Sequence, residues 1–225
     1  LVFKLYILNL LYYNRFNRFY NELGVHMLGK QSKILTDKQI KMMMNFLSVT
    51  RMSTRNQVIF LLSCKGGLRS KEISQVEWNM ILDPEGNMGD TINLIDRVSK
   101  GNSGRVIPLN SELKDKLLKL YEIEKVSNRH FDINTSKVIR TERSQSTSPQ
   151  SIVNLFSRWY SDMGFIGCSS HSGRRTFITN LSKKISVVGG TLRDVQSLVG
   201  HKNLQTTQRY IEVDTDCQRE LVNLI

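Results

Sequence analysis

Residues 170–184 read SHSGRRTFITNLSKK and residues 191–211 read TLRDVQSLVGHKNLQTTQRYI, and their spacing decides how the whole chain is read. It predicts helices over 172–184, 191–199 and 204–212. Leu192, Val195, Leu198 and Val199 form an apolar stripe that Gly200 terminates. His201 follows at a Gly-His corner, and Tyr210 comes nine residues later. At the start of the first helix His171 and Arg174 stand at i and i+3. Both can therefore point to one side, where a helix N-terminus favours an anion. Arg175 points about 100° away. Taken singly, each residue has an ordinary explanation. An HxxR recurs by chance, a histidine is at home at a helix C-terminus, and a tyrosine before Ile211 and Val213 can be amphipathic packing.

Working outward, the fold class reads as mainly α with a small antiparallel β-sheet. TDKQIKMMMNFL opens with Thr36 as N-cap and places Ile40, Met43, Met44 and Leu47 on one face. The methionines there read as core filler. STRNQVIFLLSC predicts a second helix that stops at Gly66-Gly67, and Ser70 is expected to cap a third through Val76. In GGLRSKEIS, Arg69 and Glu72 share a helical face, so the carboxylate can orient the guanidinium. Residues 91–98, TINLIDRV, predict a strand. A turn-rich loop over 100–104 carries Lys100, and RVIPL predicts a second strand that Pro108 confines to an edge or ends. SELKDKLLKLYEIEK is amphipathic, with Leu113, Leu117, Leu120 and Ile123 expected inside. Residues 127–149 are polar and are expected to form a mobile connector ahead of a helix over 150–163.

The 225 residues hold 32 Lys and Arg against 20 Asp and Glu, a formal charge of +12. Such an excess favours a polyanionic partner, because neutralised phosphates release condensed counterions. Ribosomal and membrane-surface proteins share it, so charge alone does not select DNA. Cys64, Cys168 and Cys217 form no CxxC pair and no Cys/His cluster. No zinc site, disulfide framework or cofactor is expected, and a reducing cytoplasm is. LVFKLYILNLLYYNRFNRFYNEL at the start is interrupted by Lys4. Its apolar pieces are too short for a membrane span of about 20 residues, and no small-residue cleavage site follows. Residues 1–32 are set apart as an extension. Within it, 1–26 read as the remnant of a longer upstream domain, a mis-called start ahead of Met27, or an amphipathic helix packed on the domain.

Arg69, Lys100, His171, Arg174, His201 and Tyr210, in this order and spacing, resemble the catalytic domain of the tyrosine recombinase (phage integrase) family. The resemblance runs from about Lys33 to the C-terminus, so residues 33–225 are taken as one catalytic domain with a tail at 212–225. It implies a DNA strand transferase acting through a covalent intermediate. Tyr210 attacks a scissile phosphate, forming a 3′-phosphotyrosine and releasing a 5′ hydroxyl. Arg69, Arg174 and His201 stabilise the pentacoordinate state, Lys100 protonates the leaving 5′ oxygen, His171 assists proton transfer and Glu72 supports Arg69. The physical demand is plain: a phosphodiester repels nucleophiles, and preorganised arginine forks match phosphate geometry. A phenol with a pKa near 10 needs a base or cationic surroundings to attack. Tyr160 and Tyr121 are rivals by residue type, but neither follows a Gly-His corner.

The resemblance further implies double-stranded DNA as partner, a tetramer on DNA and possible accessory DNA-bending proteins. The outcome would be integration, excision or inversion, with neither ATP nor metal. Two other readings stand beside it: a truncated, degenerate DNA-binding module of a mobile element, and a type IB topoisomerase-like nicking and resealing enzyme. Some features depart from the family pattern. Typical members carry a separate N-terminal helical domain that closes a clamp around DNA. Ser172-Gly173 also stand where many relatives have larger residues, and the glycine is expected to loosen the helix start. In the tail, EVDTDCQRELVNLI, the residues Leu221, Val222, Leu224 and Ile225 are too apolar for an idle terminus. It either folds back or docks into a neighbour's groove, and the family resemblance implies the second.

Overall fold

The computed structural model describes residues 31–98, 104–211 and 222–223. Its first helix, α1 (Asp37–Ser48), begins at a reciprocal cap. Thr36 Oγ1 accepts from the Gln39 N–H at 3.2 Å, and Gln39 Oε1 accepts from the Thr36 N–H at 3.0 Å. Ile40, Met43, Met44 and Leu47 are its buried residues, as their spacing predicts. α2 (Ser53–Cys64) is buried on every side from Asn56 onward, which suits its continuous VIFLL run. It is the central rod, packed against α1, α4 (Ser111–Ser127) and α6 (Ser172–Lys184). Between α2 and the sheet lies the short α3 (Ser70–Gln75). Its N-cap position is held by Arg69, not Ser70 as the sequence suggested, because Glu72 takes the Arg69 N–H and so fixes the helix start one residue earlier.

The sheet is smaller than expected. β1 (Thr91–Leu94) pairs antiparallel with β2 (Arg105–Pro108), Thr91 opposite Pro108 and Leu94 opposite Arg105. The predicted 91–98 strand stops at Leu94, because Asp96 turns to accept the Gly104 N–H at 2.7 Å and closes the base of the loop. Pro108 ends β2, as its missing donor requires. Ile92, Leu94, Arg105 and Ile107 face inward, so one inward strand position holds a charge.

In α4 the buried stripe runs Leu113, Leu117, Leu120, Tyr121, Glu124, while Ile123 is exposed, contrary to expectation. Glu124, about 100° round the helix from Ile123, takes the inward place because Arg140 pairs with it. The 127–149 connector is docked, not mobile. Trp78 N–H donates to Ser136 O at 3.1 Å, Val138 N–H donates to Val76 O at 2.9 Å, and Val138 and Ile139 are fully buried. Lys137 adds an ion pair to Glu77 at 2.8 Å. α5 (Pro149–Asp162) starts on a Ser148 cap with proline in its first turn, and buries Ile152, Phe156, Trp159 and Tyr160. α6 is followed by a 3₁₀ turn, Ile185–Val188, then by α7 (Leu192–Val199) and α8 (Leu204–Gln208). α8 ends earlier than the predicted 204–212, which leaves Tyr210 in the turn beyond it. No helix among the described residues is long and apolar enough to cross a membrane. Residues 1–30, Lys100 and all of the tail except the exposed Val222 and Asn223 lie outside the described residues.

Two hydrophobic cores divide the labour. The large one gathers α1 to α5 and the hairpin. The small one consists of Ile178, Val195 and Val199, with Phe177, Leu181, Ile185, Leu192 and Tyr210 packed around them. α6 bridges the two, and Gly173 is what lets it approach α2. A Cβ there would lie 2.4 Å from Ser63 Oγ, 2.9 Å from Ser63 Cβ and 3.3 Å from Cys64 N. The glycine does not loosen the helix start; it permits a close crossing. Gly173→Ala is therefore expected to destabilise by about 2 kcal/mol, outweighing any gain in helix propensity, and to lower Tm by about 4–8 °C. A thermal melt checks this, and an unchanged or raised Tm would mean that the helices part without strain.

Candidate active site

Glu72 stands at the centre of the site, and its carboxylate is fully buried. Its Oε2 accepts from the Arg69 backbone N–H at 2.8 Å and its Oε1 from Arg69 Nη1 at 3.1 Å. From β2, Arg105 adds a two-pronged pair, Nη1 to Oε1 at 3.0 Å and Nη2 to Oε2 at 3.1 Å. Arg174, from the first turns of α6, stands farther off, with Nη1 3.8 Å from Oε2. Burial works against the charge on Glu72. The Arg105 fork, the Arg69 N–H and the nearby Arg174 charge outweigh it and hold the carboxyl below its usual range.

Arg174 is itself buried, and its fork joins three parts of the chain. Nη1 donates to Gly67 O in the turn after α2, and Nη2 donates to Val199 O at the end of α7 at 2.7 Å. Gly67 has φ 67, and a Cβ on it would fall 2.4 Å from Phe177 Cδ1, so the turn admits no side chain. Burial, and then the charge of Arg69, push the Arg174 pKa down to about 9, which leaves it protonated at neutral pH.

The Gly-His corner is a Schellman ending. Gly200 has φ 64, its N–H bonds Ser197 O at 3.1 Å, and the His201 N–H reaches back to Gln196 O at 3.1 Å. The remaining α7 carbonyls go to arginines: Val199 O to Arg174 and Leu198 O to Arg105 Nε at 3.0 Å. His201 is thereby buried against the cluster, with Nδ1 2.9 Å from Thr207 Oγ1. Burial first, then Arg174, Arg69 and Arg105, press its pKa down to about 4, so the imidazole is neutral at pH 7. Tyr210 stacks on it, ring centroids 5.6 Å apart and planes 24° from parallel. The turn that carries Tyr210 is pinned by its own N–H to Thr207 O at 3.0 Å and by Thr179 Oγ1 donating to Tyr210 O at 3.2 Å. Arg193, Gln196, Ser197 and Lys202 join His201 around a depression of about 330 Å³.

The structure thus brings Arg69, Glu72, Arg174, His201 and Tyr210 into one cluster. His171 stands apart, exposed at the N-cap position of α6, where its side chain makes no capping bond. Arg175 is turned away and donates to Ser32 O at 3.0 Å. Lys100 lies outside the described residues, but its loop leaves the sheet at Arg105, inside the cluster; the five residue steps between the two can span at most about 18 Å. The rival tyrosines are core residues. Tyr160 is buried with its hydroxyl unpartnered, and burial pushes its phenol up. Tyr121 sits in an aromatic cluster with Trp78 and Phe131. Sequence reasoning missed Arg105 and Thr207. The one available signal for Arg105 was its inward register between the outward Gly104 and Val106; for Thr207 it was the Thr206-Thr207 pair between the Gly-His corner and Tyr210, to which the sequence reading gave no role of its own. Among the described residues no three His, Cys, Asp or Glu side chains converge to hold a metal ion.

The sequence profile of the phage integrase family matches residues 33–216. The chain is 28% identical over 192 residues to the tyrosine recombinase XerA of Pyrococcus horikoshii, covering 84% of this chain and 60% of that protein. It is 26% identical over 177 residues to the tyrosine recombinase XerC of Proteus mirabilis, covering 78% and 53%. The chain therefore spans about 60% of the length of the first of these relatives. A crystal structure of XerA recombinase superposes with a TM-score of 0.66 at 18% identity, over 92% of this chain and 71% of that one. The Tn1549 transposon integrase, in complex with a circular intermediate DNA, superposes with a TM-score of 0.67 at 16% identity, over 89% and 68%. At such identities the superpositions speak for the fold.

Proposed function

This chain belongs to the phage integrase family, and from that premise we propose that residues 33–225 are the catalytic domain of a site-specific DNA recombinase. The single observation that carries the proposal is the stacking of Tyr210 on a neutral His201 beside two arginines held around one buried carboxylate. A phosphodiester at this cluster meets Arg69, whose side chain is 29% exposed, as the arginine that reaches the surface. Its non-bridging oxygens are the charge that Arg69 and Arg174 stabilise as the phosphorus becomes five-coordinate. In the tautomer in which Thr207 Oγ1–H donates to Nδ1, His201 carries its proton on Nε2 and offers it to the same oxygens.

The phenol oxygen of Tyr210 forms a bond to phosphorus, and the bond from phosphorus to the 5′ oxygen breaks. Lys100 supplies the proton that the leaving oxygen takes up, and His171 assists proton transfer once its exposed side chain, which stands outside the cluster, turns towards it. The product is a 3′-phosphotyrosine with a free 5′ hydroxyl. Attack by another 5′ hydroxyl reverses the step and rejoins DNA, so no external energy source is required. Exchange between two duplexes calls for several copies on double-stranded DNA, a tetramer in this proposal, with the 212–225 tail as the link between neighbours. The protein would then be DNA-associated in the cytoplasm.

The test is a nicked duplex carrying the element's ends, incubated with the protein in EDTA and analysed for an SDS-resistant adduct. Formation of the adduct is expected; DNA retained only non-covalently would overturn the proposal. On the same duplexes Lys100→Ala is expected to lose cleavage and to regain it when sulfur replaces the 5′ bridging oxygen, because a thiolate leaves without a proton. Equal loss on both substrates would make the lysine a phosphate contact only.

A further inference from the structure

Arg105 is the most completely engaged side chain of the cluster. It opens β2, its side chain is 4% exposed, and its fork takes both oxygens of Glu72 while Nε holds Leu198 O. Its aliphatic stem runs under Gly200, where a Cβ would lie 3.1 Å from Cδ and from Nη1. Buried in this way it cannot reach DNA, so it acts on the reaction only through its neighbours.

Those neighbours divide one negative charge among three positive ones. Glu72 has two oxygens, and Arg105 bonds to both. Arg69 spends only one Nη on it, and Arg174 stands at 3.8 Å, beyond hydrogen-bond reach. Without Arg105, a buried carboxylate so close would draw Arg174 or Arg69 into a tight pair, because an uncompensated buried charge is costly. The cluster would then present one unmatched positive charge to an anion instead of two.

We infer that Arg105 is a positioning residue that serves as the standing counter-ion of Glu72, keeping the charges of Arg69 and Arg174 available for a phosphate. The inference rests on the proposed recombinase reading, since it presumes that this cluster receives a phosphodiester. It separates two tasks that a plain salt bridge would merge. Glu72 orients Arg69 through the backbone N–H and Nη1, and Arg105 absorbs the charge this orientation brings with it.

The probe is inorganic phosphate, titrated into the full chain at constant low ionic strength and followed through the His201 ring signals by NMR. Arg105→Met is expected to weaken phosphate binding on the order of tenfold, for loss of one unit charge at a few ångströms. The double variant Arg105→Met/Glu72→Gln restores the net charge, and the amide that replaces the carboxylate keeps an acceptor for the Arg69 N–H. Binding is then expected to recover most of the lost affinity, short of the wild-type level because one amide oxygen cannot accept from both the Arg69 N–H and Arg69 Nη1. A purely structural arginine gives the opposite order, with the second core change adding damage. The double variant removes both buried charges together, so it carries the test even where the single variant folds poorly. Wild-type affinity in Arg105→Met, or a double variant that binds as weakly as the single one or more so, would overturn the inference. Adduct formation by the wild type on the nicked duplex is read in parallel. If the wild type forms the adduct while the variants break the expected order, only this inference falls. If the wild type gives neither adduct nor phosphate perturbation, the recombinase reading falls with it.

Discussion

Tyr210→Phe is expected to bind DNA as the wild type does and to form no SDS-resistant adduct. The change removes one oxygen and little else. The ring stays stacked on His201, since that contact lies between ring planes. The turn keeps its ties, because Thr179 bonds the Tyr210 carbonyl and Thr207 O bonds its N–H, both backbone groups. The small core keeps the same apolar ring against Ile178, Val195 and Val199. Loss of the adduct at unchanged affinity and unchanged Tm therefore isolates the nucleophile. Tyr160→Phe is the matched control. Its hydroxyl is buried without a partner, so removing it should leave cleavage intact and cost no stability. An adduct that persists in Tyr210→Phe and vanishes in Tyr160→Phe would transfer the role to the other tyrosine.

Arg174→Ala is expected to be the most damaging single change, because one side chain serves both fold and chemistry. Its loss leaves the Gly67 and Val199 carbonyls without their donor, at about 1–3 kcal/mol for each buried group left unsatisfied. It also frees the end of α7, and with it the corner that carries His201. For catalysis it removes a preorganised cation from the developing charge, a loss on the order of 10²–10³ in rate. Arg174→Lys separates the two effects. A lysine keeps the charge, but lacks the planar fork that reaches both carbonyls. It should recover part of the rate and little of the stability. Single-turnover cleavage and thermal melts on the same preparations make the comparison. An alanine variant that melts like the wild type and cleaves within tenfold of it would remove Arg174 from the site.

Much of this molecule was legible in its sequence, and the legible part shares one physical character: it is local. The Thr36–Gln39 cap, the stripe Ile40, Met43, Met44, Leu47 and the Gly200 stop of α7 are settled by bonds and periodicities within a few residues. So is the pairing of Arg69 with Glu72, three residues apart on one helix. The run of motifs from Arg69 to Tyr210 could be ordered along the chain for the same reason, and their order was enough to select the family.

What the tertiary structure alone decided depends on chain segments that meet across long separations. Arg105 reaches Glu72 across 33 residues and Leu198 across 93, and no local pattern announces either contact. Val138 and Ile139 turn a polar connector into part of the core because Val76 and Trp78 offer backbone partners far upstream. Gly173 reads as a weak helix former until Ser63 appears 2.4 Å from where its Cβ would stand. Tyr160 and Tyr210 are alike as residues; the Gly-His corner sets Tyr210 apart in the sequence, and burial adds that one is sealed in the large core and the other half-buried on His201. Sequence thus determined most of the helices and the candidate reacting groups, since those are properties of neighbours along the chain. The distribution of charge around Glu72, which groups are neutral and which guanidinium stays exposed, was decided by packing. Desolvation and Coulomb energy depend on distances that exist only once the chain has closed on itself.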